Sequence, residues 1–438
     1  MADFATSTDP RVQAQLDRLA KVSPTGDRLG LERIGALLDR LGRPQDDLPP
    51  VFHVAGTNGK GSTVAFLRAI IEESGYQVHA FTSPHLVRFN ERIRIAGRLI
   101  DDGQLADLLG EVIEAGADIQ PSFFEVATAV AILAFARTPA DACILEVGLG
   151  GRLDATNIID HPLVCGIADL GLDHQQYLGT TLAEIAGEKA AIAKSGVPLV
   201  TQRYPFAAAE RVAAIAEERG AEYLPREIAW NAAVEDGRLC YRDRRGPLDL
   251  PVPQMAGGHQ ALNAGLAVAM LRHQDMLKIK PSAFDAITSA KWPARLQLLG
   301  PGPLTERLPG KRVWLDGGHN HEAAVAIAGT MATRAPFDLI FALLKTRSIR
   351  DVLGPLAPLV RLAQTVPIPG HEAHDPRDIA WFAQEHEAPR LCYPAFSLEE
   401  AVERFAGAYA DGVSDDLLIF GSLYLAGEVL VLNRELPD

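Results

Sequence analysis

The sequence predicts an α/β protein in two parts, a mostly parallel sheet domain followed by a smaller Rossmann-like α/β domain. Three observations lead there. Short apolar runs alternate with helical patterns along most of the chain, and such alternation builds parallel βαβ units whose sheet is covered on both faces. A glycine-rich stretch, Gly56-Thr57-Asn58-Gly59-Lys60-Gly61-Ser62, joins one strand to the next helix. Gly300-Pro301-Gly302-Pro303 then interrupts the series, because these residues neither continue a helix nor pair centrally in a sheet. The boundary drawn there gives domains of residues 1–298 and 299–438.

The elements follow in order. Val51 to Ala55 reads as a strand, and Val64, Leu67, Ile70 and Ile71 mark a helix from about Gly61 to Glu73. A strand at Val78 to Thr82 precedes helices at Asp101 to Ala115 and Ser122 to Arg137, then the strand Ala142 to Val147. Next come a strand at Val164 to Ala168, a helix at Thr181 to Lys194, a strand at Pro198 to Gln202 and a helix at Ala207 to Arg219. Ala221 to Pro253 reads as a small antiparallel excursion broken by Gly237 and Gly246, and a helix at Gln260 to Arg272 follows. Past the linker the series is strand Arg312 to Asp316, helix Glu322 to Thr333, strand Leu339 to Leu343, helix Ile349 to Pro355 and a closing strand Leu417 to Phe420.

Composition narrows the function classes. Of 438 residues, 47% are hydrophobic and 22% charged, the balance of a globular chain. The formal charge of -14 repels a nucleic-acid backbone, so nucleic acid is not an expected partner. Anionic small substrates remain open, since a nest of backbone N–H groups with a few Lys or Arg reverses the field locally. Cys143, Cys165, Cys240 and Cys392 form no C-x-x-C pair, which suggests neither a zinc site nor a disulfide framework and fits reduced thiols in the cytoplasm. The N-terminus lacks the pattern of a signal peptide, and the longest apolar run, Val126 to Ala136, falls short of the ~20 residues that span a bilayer. No membrane association and a monomeric state are expected.

Glycines between a strand and a helix let backbone N–H groups close on phosphate oxygens, while the helix start adds partial positive charge. Gly56, Gly59 and Gly61 provide that freedom, Lys60 reaches the terminal phosphates, and Ser62 or Thr63 supplies a hydroxyl for magnesium. This makes the first domain one of the P-loop type. The stretch departs from G-x-x-x-x-G-K-[ST] twice: Val54 stands where the first glycine belongs, and Gly61 where the hydroxyl belongs.

That variant loop resembles the nucleotide loop of the Mur ligase superfamily, and the extra glycine after the lysine resembles its folate branch, the folylpolyglutamate and dihydrofolate synthases. Further motifs follow in the order of that family: Ser83-Pro84-His85-Leu86 with Asn90-Glu91-Arg92-Ile93, the run from Glu146 through Gly148-Leu149-Gly150-Gly151-Arg152-Leu153-Asp154-Ala155-Thr156 to Asn157, Asp173-His174, Gly187-Glu188-Lys189-Ala190, His259-Gln260 with Asn263, Arg295, and Asp316 with His319-Asn320. The resemblance implies an ATP-dependent ligase that adds L-glutamate to dihydropteroate, to reduced folates, or to both. Its route is an acyl phosphate: the carboxylate takes the γ-phosphoryl group of ATP, and the amine then displaces phosphate.

The resemblance also implies roles. Thr57, Asn58, Gly59, Lys60, Gly61 and Ser62 hold the phosphates, and Asn263, Arg295 and Asp316 contact the adenine side, phosphate and ribose, so that the nucleotide is gripped from both domains. Ser62, Ser83, Glu146 and His174 contact two Mg2+ ions. Lys189 carries a carbamate that turns a cation into an anionic oxygen ligand, which a lysine with a lowered pKa favours. Lys60, Lys189, His174 and His319 are the catalytic candidates, His319 standing near the phosphates or the incoming glutamate. The pterin falls to Gly26, Asp27, Arg28 and Leu29, to Ser122, Phe123, Phe124 and Glu125, and to Leu153, Asp154 and Ala155, with Phe124 stacking and Asp154 hydrogen-bonding. Read alone, Glu146 is equally a turn-capping carboxylate, His174 a buried structural histidine, Lys189 a solvated charge as Lys194 is, Arg295 a surface ion pair, Asp316 a strand-end turn residue, and Phe123 or Phe124 a core side chain.

The second domain departs from the pattern at Gly318, where the family has alanine, at His321, where it has proline, and in part at Leu344-Lys345-Thr346-Arg347 and Pro369-Gly370-His371-Glu372. Two other readings stand beside this one. A Mur-type ligase of another amino acid would lack Gly61 and the Phe124 and Asp154 pair, and a non-catalytic nucleotide-dependent switch leaves Lys189, His174 and the second domain without a role.

Overall fold

The computed structural model describes residues 6–23, 29–386, 389, 391–407 and 414–437. The chain divides into two compact units, Met1–Gln254 with Gln260–Lys291, and Met255–His259 with Trp292–Asp438. The break at Lys291 precedes the glycine–proline segment, which therefore belongs to the second unit.

The first unit is built on an eight-stranded sheet. Its strands are β1 (Val51–Ala55), β2 (Val78–Phe81), β3 (Ile93–Ile95), β4 (Arg98–Leu99), β5 (Ala142–Glu146), β6 (Val164–Ile167), β7 (Pro198–Thr201) and β8 (Glu222–Pro225). Their order is β4-β3-β2-β5-β1-β6-β7-β8. From β2 through β8 all pairings are parallel, while β3 and β4 add an antiparallel edge. Every residue of β1, β2, β5 and β6 is buried, as parallel strands covered on both faces require. The helix Phe123–Ala136 is apolar all round and almost wholly buried, with Ser122 and Glu125 closing its N-terminus as a capping box.

The structure corrects several sequence expectations. Glu222–Pro225 is not part of an antiparallel excursion but a parallel edge strand of the large sheet, pairing with β7. The excursion is the three-stranded antiparallel sheet of β9 (Trp230–Glu235), β10 (Arg238–Asp243) and β11 (Gly246–Pro251). The helix expected to reach Lys194 spans only Leu182–Ala190. Lys194 is accordingly no freely solvated charge: half-buried, it donates from Nζ to Asn157 O at 3.1 Å. Helices at Pro10–Val22 and Glu32–Arg40 had no sequence assignment, yet Val12, Leu16, Leu19, Ile34, Leu37 and Leu38 all enter the core beside β2 and β5.

The second unit has a six-stranded sheet in the order β12-β13-β17-β14-β15-β16. The strands are β12 (Gln297–Leu298), β13 (Arg312–Asp316), β14 (Phe337–Phe341), β15 (Val360–Thr365), β16 (Cys392–Pro394) and β17 (Asp416–Phe420). All but β12 pair in parallel, and β17, last in sequence, lies centrally between β13 and β14. The stretch between β14 and β17, where the sequence suggested only a short helix, also holds β15, β16 and helices at Pro376–Glu385 and Leu398–Ala406. The described cysteines are free, and no described helix is long and apolar enough to cross a membrane.

One polar side chain interrupts the apolar strand β1. His53 is fully buried, and its Nε2 lies 2.8 Å from Thr156 Oγ1. Burial, reinforced by the Lys194 charge, pushes the imidazole from 6.5 down to about 3. Unfolded, this ring takes up a proton near 6.5; folded, it resists until about 3. Between those values the unfolded chain binds more protons, so the group removes stability as pH falls, by up to about 1.4 kcal/mol per pH unit, and has no effect above that window. Thermal unfolding of wild type and His53→Gln between pH 7 and 4 should show a steeper loss for wild type; parallel slopes would contradict the burial argument.

Candidate active site

In open parallel sheets ligands gather at the carboxyl ends of the strands. Four neighbouring strands, β2, β5, β1 and β6, bring their carboxyl ends to one edge of the first sheet. Ser83 follows β2, Glu146 ends β5, the glycine-rich loop follows β1, and Asp169 to His174 follow β6. Residues far apart in sequence thus meet at one rim.

The loop runs from Gly56 to Gly59, and the helix begins at Lys60. Gly59 has φ +84° and no side chain caps this helix. The helix ladder opens with Thr63 N–H to Gly59 O at 2.9 Å, which leaves the N–H groups of Gly59 through Ser62 outside it, a donor nest for anions. Ser62 and Thr63 are buried, and Thr63 Oγ1 also donates to Gly59 O at 2.9 Å. The loop is pinned from β6 by Thr57 N–H to Asp169 O at 2.7 Å and Thr57 Oγ1 to Gly171 O at 3.1 Å. Asn263 presses on it from the helix Gly258–Arg272: a Cβ at Gly59 would collide with its amide, whose Nδ2 donates to Gln260 Oε1 at 3.1 Å.

Two lysines converge on this loop. Lys60 Nζ donates to Gly56 O at 3.1 Å and to Thr57 O at 3.4 Å. Lys189, only 5% exposed, donates to the same Gly56 O at 2.9 Å. Burial first, then the Lys60 charge, pull the Lys189 amine from 10.5 to about 7, against the opposing pull of Asp173 and Asp154. Lys189 is therefore not a solvated lysine. Glu146, buried at the end of β5 and paired in register with Val54, accepts Ser83 N–H at Oε2 over 3.3 Å. His174 sits at φ +48°, a left-handed conformation that costs a non-glycine residue free energy, and Asp173 Oδ1 holds its N–H at 2.7 Å with the ring Nε2 3.7 Å away.

The glycine-rich run after β5 lies directly on the helix that carries Lys189. A Cβ at Gly151 would stand 2.7 Å from Glu188 O and 2.9 Å from Lys189 O. Arg152 N–H donates to Glu188 O at 2.9 Å, and its guanidinium pairs with Glu188 at 3.0 Å. Asp154 is 2% exposed and accepts from Leu149 N–H at 2.8 Å, Thr156 N–H at 3.0 Å and Thr156 Oγ1 at 2.5 Å. Burial raises its carboxyl above the usual range in spite of these bonds. Leu153 is half-buried and Ala155 buried beside it.

Phe124 lies over Gly148, where a Cβ would run into the ring, with its centroid 5.9 Å from Phe81. Phe123 packs edge-on to Phe89 at 5.8 Å, under the Arg92 guanidinium at 5.5 Å. Both phenylalanines pack against the core from half-buried positions. The polar groups of Ser122 and Glu125 are engaged with each other, Ser122 N–H to Glu125 Oε2 at 2.6 Å, and Arg33 Nε donates to the same oxygen at 3.1 Å. Leu29 is half-buried, while Gly26, Asp27 and Arg28 lie outside the described residues.

In the second unit Asp316 ends β13, 4% exposed, with Oδ2 accepting Leu296 N–H and Oδ1 accepting Gly318 N–H, each at 2.7 Å. Burial raises its carboxyl and the nearby Arg295 charge opposes the rise. Arg295 stands between Ala294 at φ +55° and Leu296 at φ +44°, so the backbone on both sides is left-handed. His319 Nδ1 donates to Gly317 O at 3.0 Å, which in the neutral ring makes Nε2 the basic nitrogen, and Asn320 caps the helix His321–Met331. The departure at Gly318 has a packing reason. A Cβ at Gly318 would meet Phe420 at 2.8 Å and Ala323 at 2.9 Å, and His321 Nδ1 donates to Asp351 O at 3.2 Å.

Sequence reasoning gave no role to His53 or Thr156. The signal for His53 was available as the one polar residue in the run Val51 to Ala55. Asp169 was missed altogether, since its contribution is a backbone carbonyl that no side-chain pattern reports.

No protein-family model matches the chain. It is 33% identical over 433 residues to the dihydrofolate synthase/folylpolyglutamate synthase of Bacillus subtilis, an alignment covering 92% of this chain and 95% of the relative. The solved structure of E. coli FolC in complex with DHPP and ADP superposes with a TM-score of 0.86 at 32% identity, over 97% of this chain and 98% of that one. A bifunctional folylpolyglutamate synthase/dihydrofolate synthase with Mn, AMPPNP and L-glutamate bound gives a TM-score of 0.83 at 29% identity, over 97% and 98%. With identity of that order along nearly its whole length, the chain belongs to the dihydrofolate synthase/folylpolyglutamate synthase family.

Proposed function

We propose that this chain is an ATP-dependent carboxylate–amine ligase that joins L-glutamate to dihydropteroate, to reduced folates, or to both, through an acyl phosphate. The observation that carries the reading is the meeting of Lys60 and Lys189 on one carbonyl oxygen, at the sheet edge that also presents Glu146 and Ser83. A switch protein that only binds nucleotide has no use for a second lysine buried beside its phosphate loop.

A carboxylate is a poor electrophile, so amide formation in water needs it activated. The N–H groups from Gly59 to Ser62 and the Lys60 ammonium hold and neutralise the terminal phosphates of ATP. The substrate carboxylate attacks the γ-phosphorus in line and ADP departs. The amine of glutamate then attacks the acyl carbon, and phosphate leaves as the amide forms. Arg295 serves phosphate, Asp316 the ribose, His319 the phosphates or the incoming glutamate, and Asn263 the adenine side. Phe124 stacks on the pteridine and Asp154 hydrogen-bonds it, within a wall of Leu29, Ser122, Phe123, Glu125, Leu153 and Ala155.

The donor set fits magnesium. Among the described residues no three His, Cys, Asp or Glu side chains form a metal-holding group, and Mg2+ needs none, since it takes one or two carboxylates and completes its shell with phosphate oxygens and water. Ser62, Ser83, Glu146, His174 and a carbamylated Lys189 would hold two ions. Bound there, they neutralise charge developing on the phosphoryl oxygens. An amine drawn to about 7 is roughly half neutral at neutral pH, and the neutral form adds to CO2 with loss of one proton, giving an anionic carbamate.

Purified protein with ATP, Mg2+ and glutamate should form amide product from dihydropteroate, tetrahydrofolate or both; no product from either would overturn the reading. Lys189→Ala should lower turnover on the order of 100-fold or more, as loss of a metal-site group does, and the intact mass of wild type should include one added CO2. A fully active Lys189→Ala protein removes the carbamate from the mechanism. Gly151→Ala should cost about tenfold or more in turnover, because its Cβ meets backbone oxygens that cannot give way without moving the Lys189 helix. Unchanged turnover in that variant would show that the two segments are not mechanically tied.

A further inference from the structure

His53 presents a puzzle that packing alone does not solve. The strand β1 is buried along its whole length, and its other residues are valine, phenylalanine, valine and alanine. A buried polar ring is unfavourable unless hydrogen-bonded. Among the described residues His53 is bonded at one nitrogen, since Nδ1 is buried without a partner there while Nε2 reaches Thr156 Oγ1 at 2.8 Å. An apolar side chain would fill this position with no unsatisfied atom. A buried group that leaves one atom unpaired calls for a reason elsewhere.

The reason lies one bond further on. Thr156 has one hydroxyl proton, and it goes to Asp154 Oδ1 at 2.5 Å, an oxygen that also accepts Thr156 N–H at 3.0 Å. The hydroxyl oxygen therefore accepts from His53, which must carry its proton on Nε2. The direction of all three groups is set: ring to hydroxyl, hydroxyl to carboxylate. Asp154 Oδ2 is held in turn by Leu149 N–H at 2.8 Å. With Asp154 only 2% exposed, the way its two oxygens are turned decides what it offers a ligand.

We infer that His53 and Thr156 are positioning residues for the pteridine substrate, acting through the buried chain from His53 Nε2–H to Thr156 Oγ1 to Asp154. This rests on the reading of Asp154 as a pteridine contact. The chain ties that contact to the floor of the sheet, since His53 belongs to β1, the same strand that leads into the phosphate loop. It also steadies the run that lies on Lys189 at Gly151. A histidine suits the task because burial keeps its ring neutral, so the donor on Nε2 persists across the working range of pH.

Kinetics of four variants and one spectrum test it. His53→Leu and Thr156→Val should each raise KM for dihydropteroate, or for tetrahydrofolate where that is the substrate turned over, about tenfold, the worth of one hydrogen bond, with KM for ATP unchanged. His53→Gln, whose amide nitrogen takes the place of Nε2, should restore a near wild-type KM. A dihydropteroate KM that stays at wild type in His53→Leu and Thr156→Val, or an ATP KM that rises in step with it, would overturn the inference. Asp154→Asn separates the two readings. If it leaves KM for dihydropteroate unchanged, Asp154 is no contact and both fall; if it raises KM while Thr156→Val is silent, only the relay falls. Should His53→Leu fail to fold, the nitrogen-15 spectrum of wild type decides: the Nε2–H tautomer from pH 8 to 5 supports the chain, and the Nδ1–H tautomer or an imidazolium refutes it.

Discussion

Two lysine side chains share the carbonyl oxygen of Gly56, and the candidate site takes its shape from how closely the chain must fold to let them do so. A Cβ at Gly56 would stand 2.9 Å from Ala168 Cβ, so the exit of β1 lies flush against β6. Asn263 crowds Gly59 from one helix, and the Glu188 and Lys189 carbonyls crowd Gly151 from another. Each glycine marks a place where backbone touches backbone or a buried amide. The loop N–H groups, the β5 carboxylate and the second lysine are brought within one rim because nothing projects between them.

That closeness has an electrostatic consequence. The protein carries a formal charge of -14, yet the rim holds two amines in contact with one oxygen. Bulk charge and local charge are set by different things: the first by a count over the surface, the second by which groups the sheet topology delivers to its carboxyl edge. Burial makes the inner amine of Lys189 a poor cation and a better nucleophile, while Lys60 at the mouth of the loop keeps its hold on carbonyl oxygens. The same physics keeps His53 neutral and lifts Asp154.

The second unit uses a similar edge differently. Asp316 ends β13 as Glu146 ends β5, but it spends both oxygens on backbone N–H groups of its own turn, from Leu296 and Gly318. It thereby holds Arg295 on a left-handed segment and leaves no room for a side chain at residue 318. The departure from alanine at that position is a matter of packing against Phe420 and Ala323.

Much was legible from sequence where the information is local. The glycine-rich loop between β1 and its helix, and most of the strands of the first unit from β1 to β7, depend on neighbouring residues, and they stand where the sequence placed them. The short edge strands and late helices of the second unit were not legible, because edge strands carry little apolar pattern and β17 reaches the middle of its sheet only through long-range pairing. Sequence by itself determined which residue types are present and the backbone freedom at Gly56, Gly59 and Gly151, since torsional limits belong to the residue. Tertiary structure decided which groups meet. The bond from Lys189 to Gly56 spans 133 residues, and that from His53 to Thr156 spans 103. Those contacts exist only because parallel strands set distant segments side by side, and burial there, rather than any motif, sets the protonation of the groups that meet.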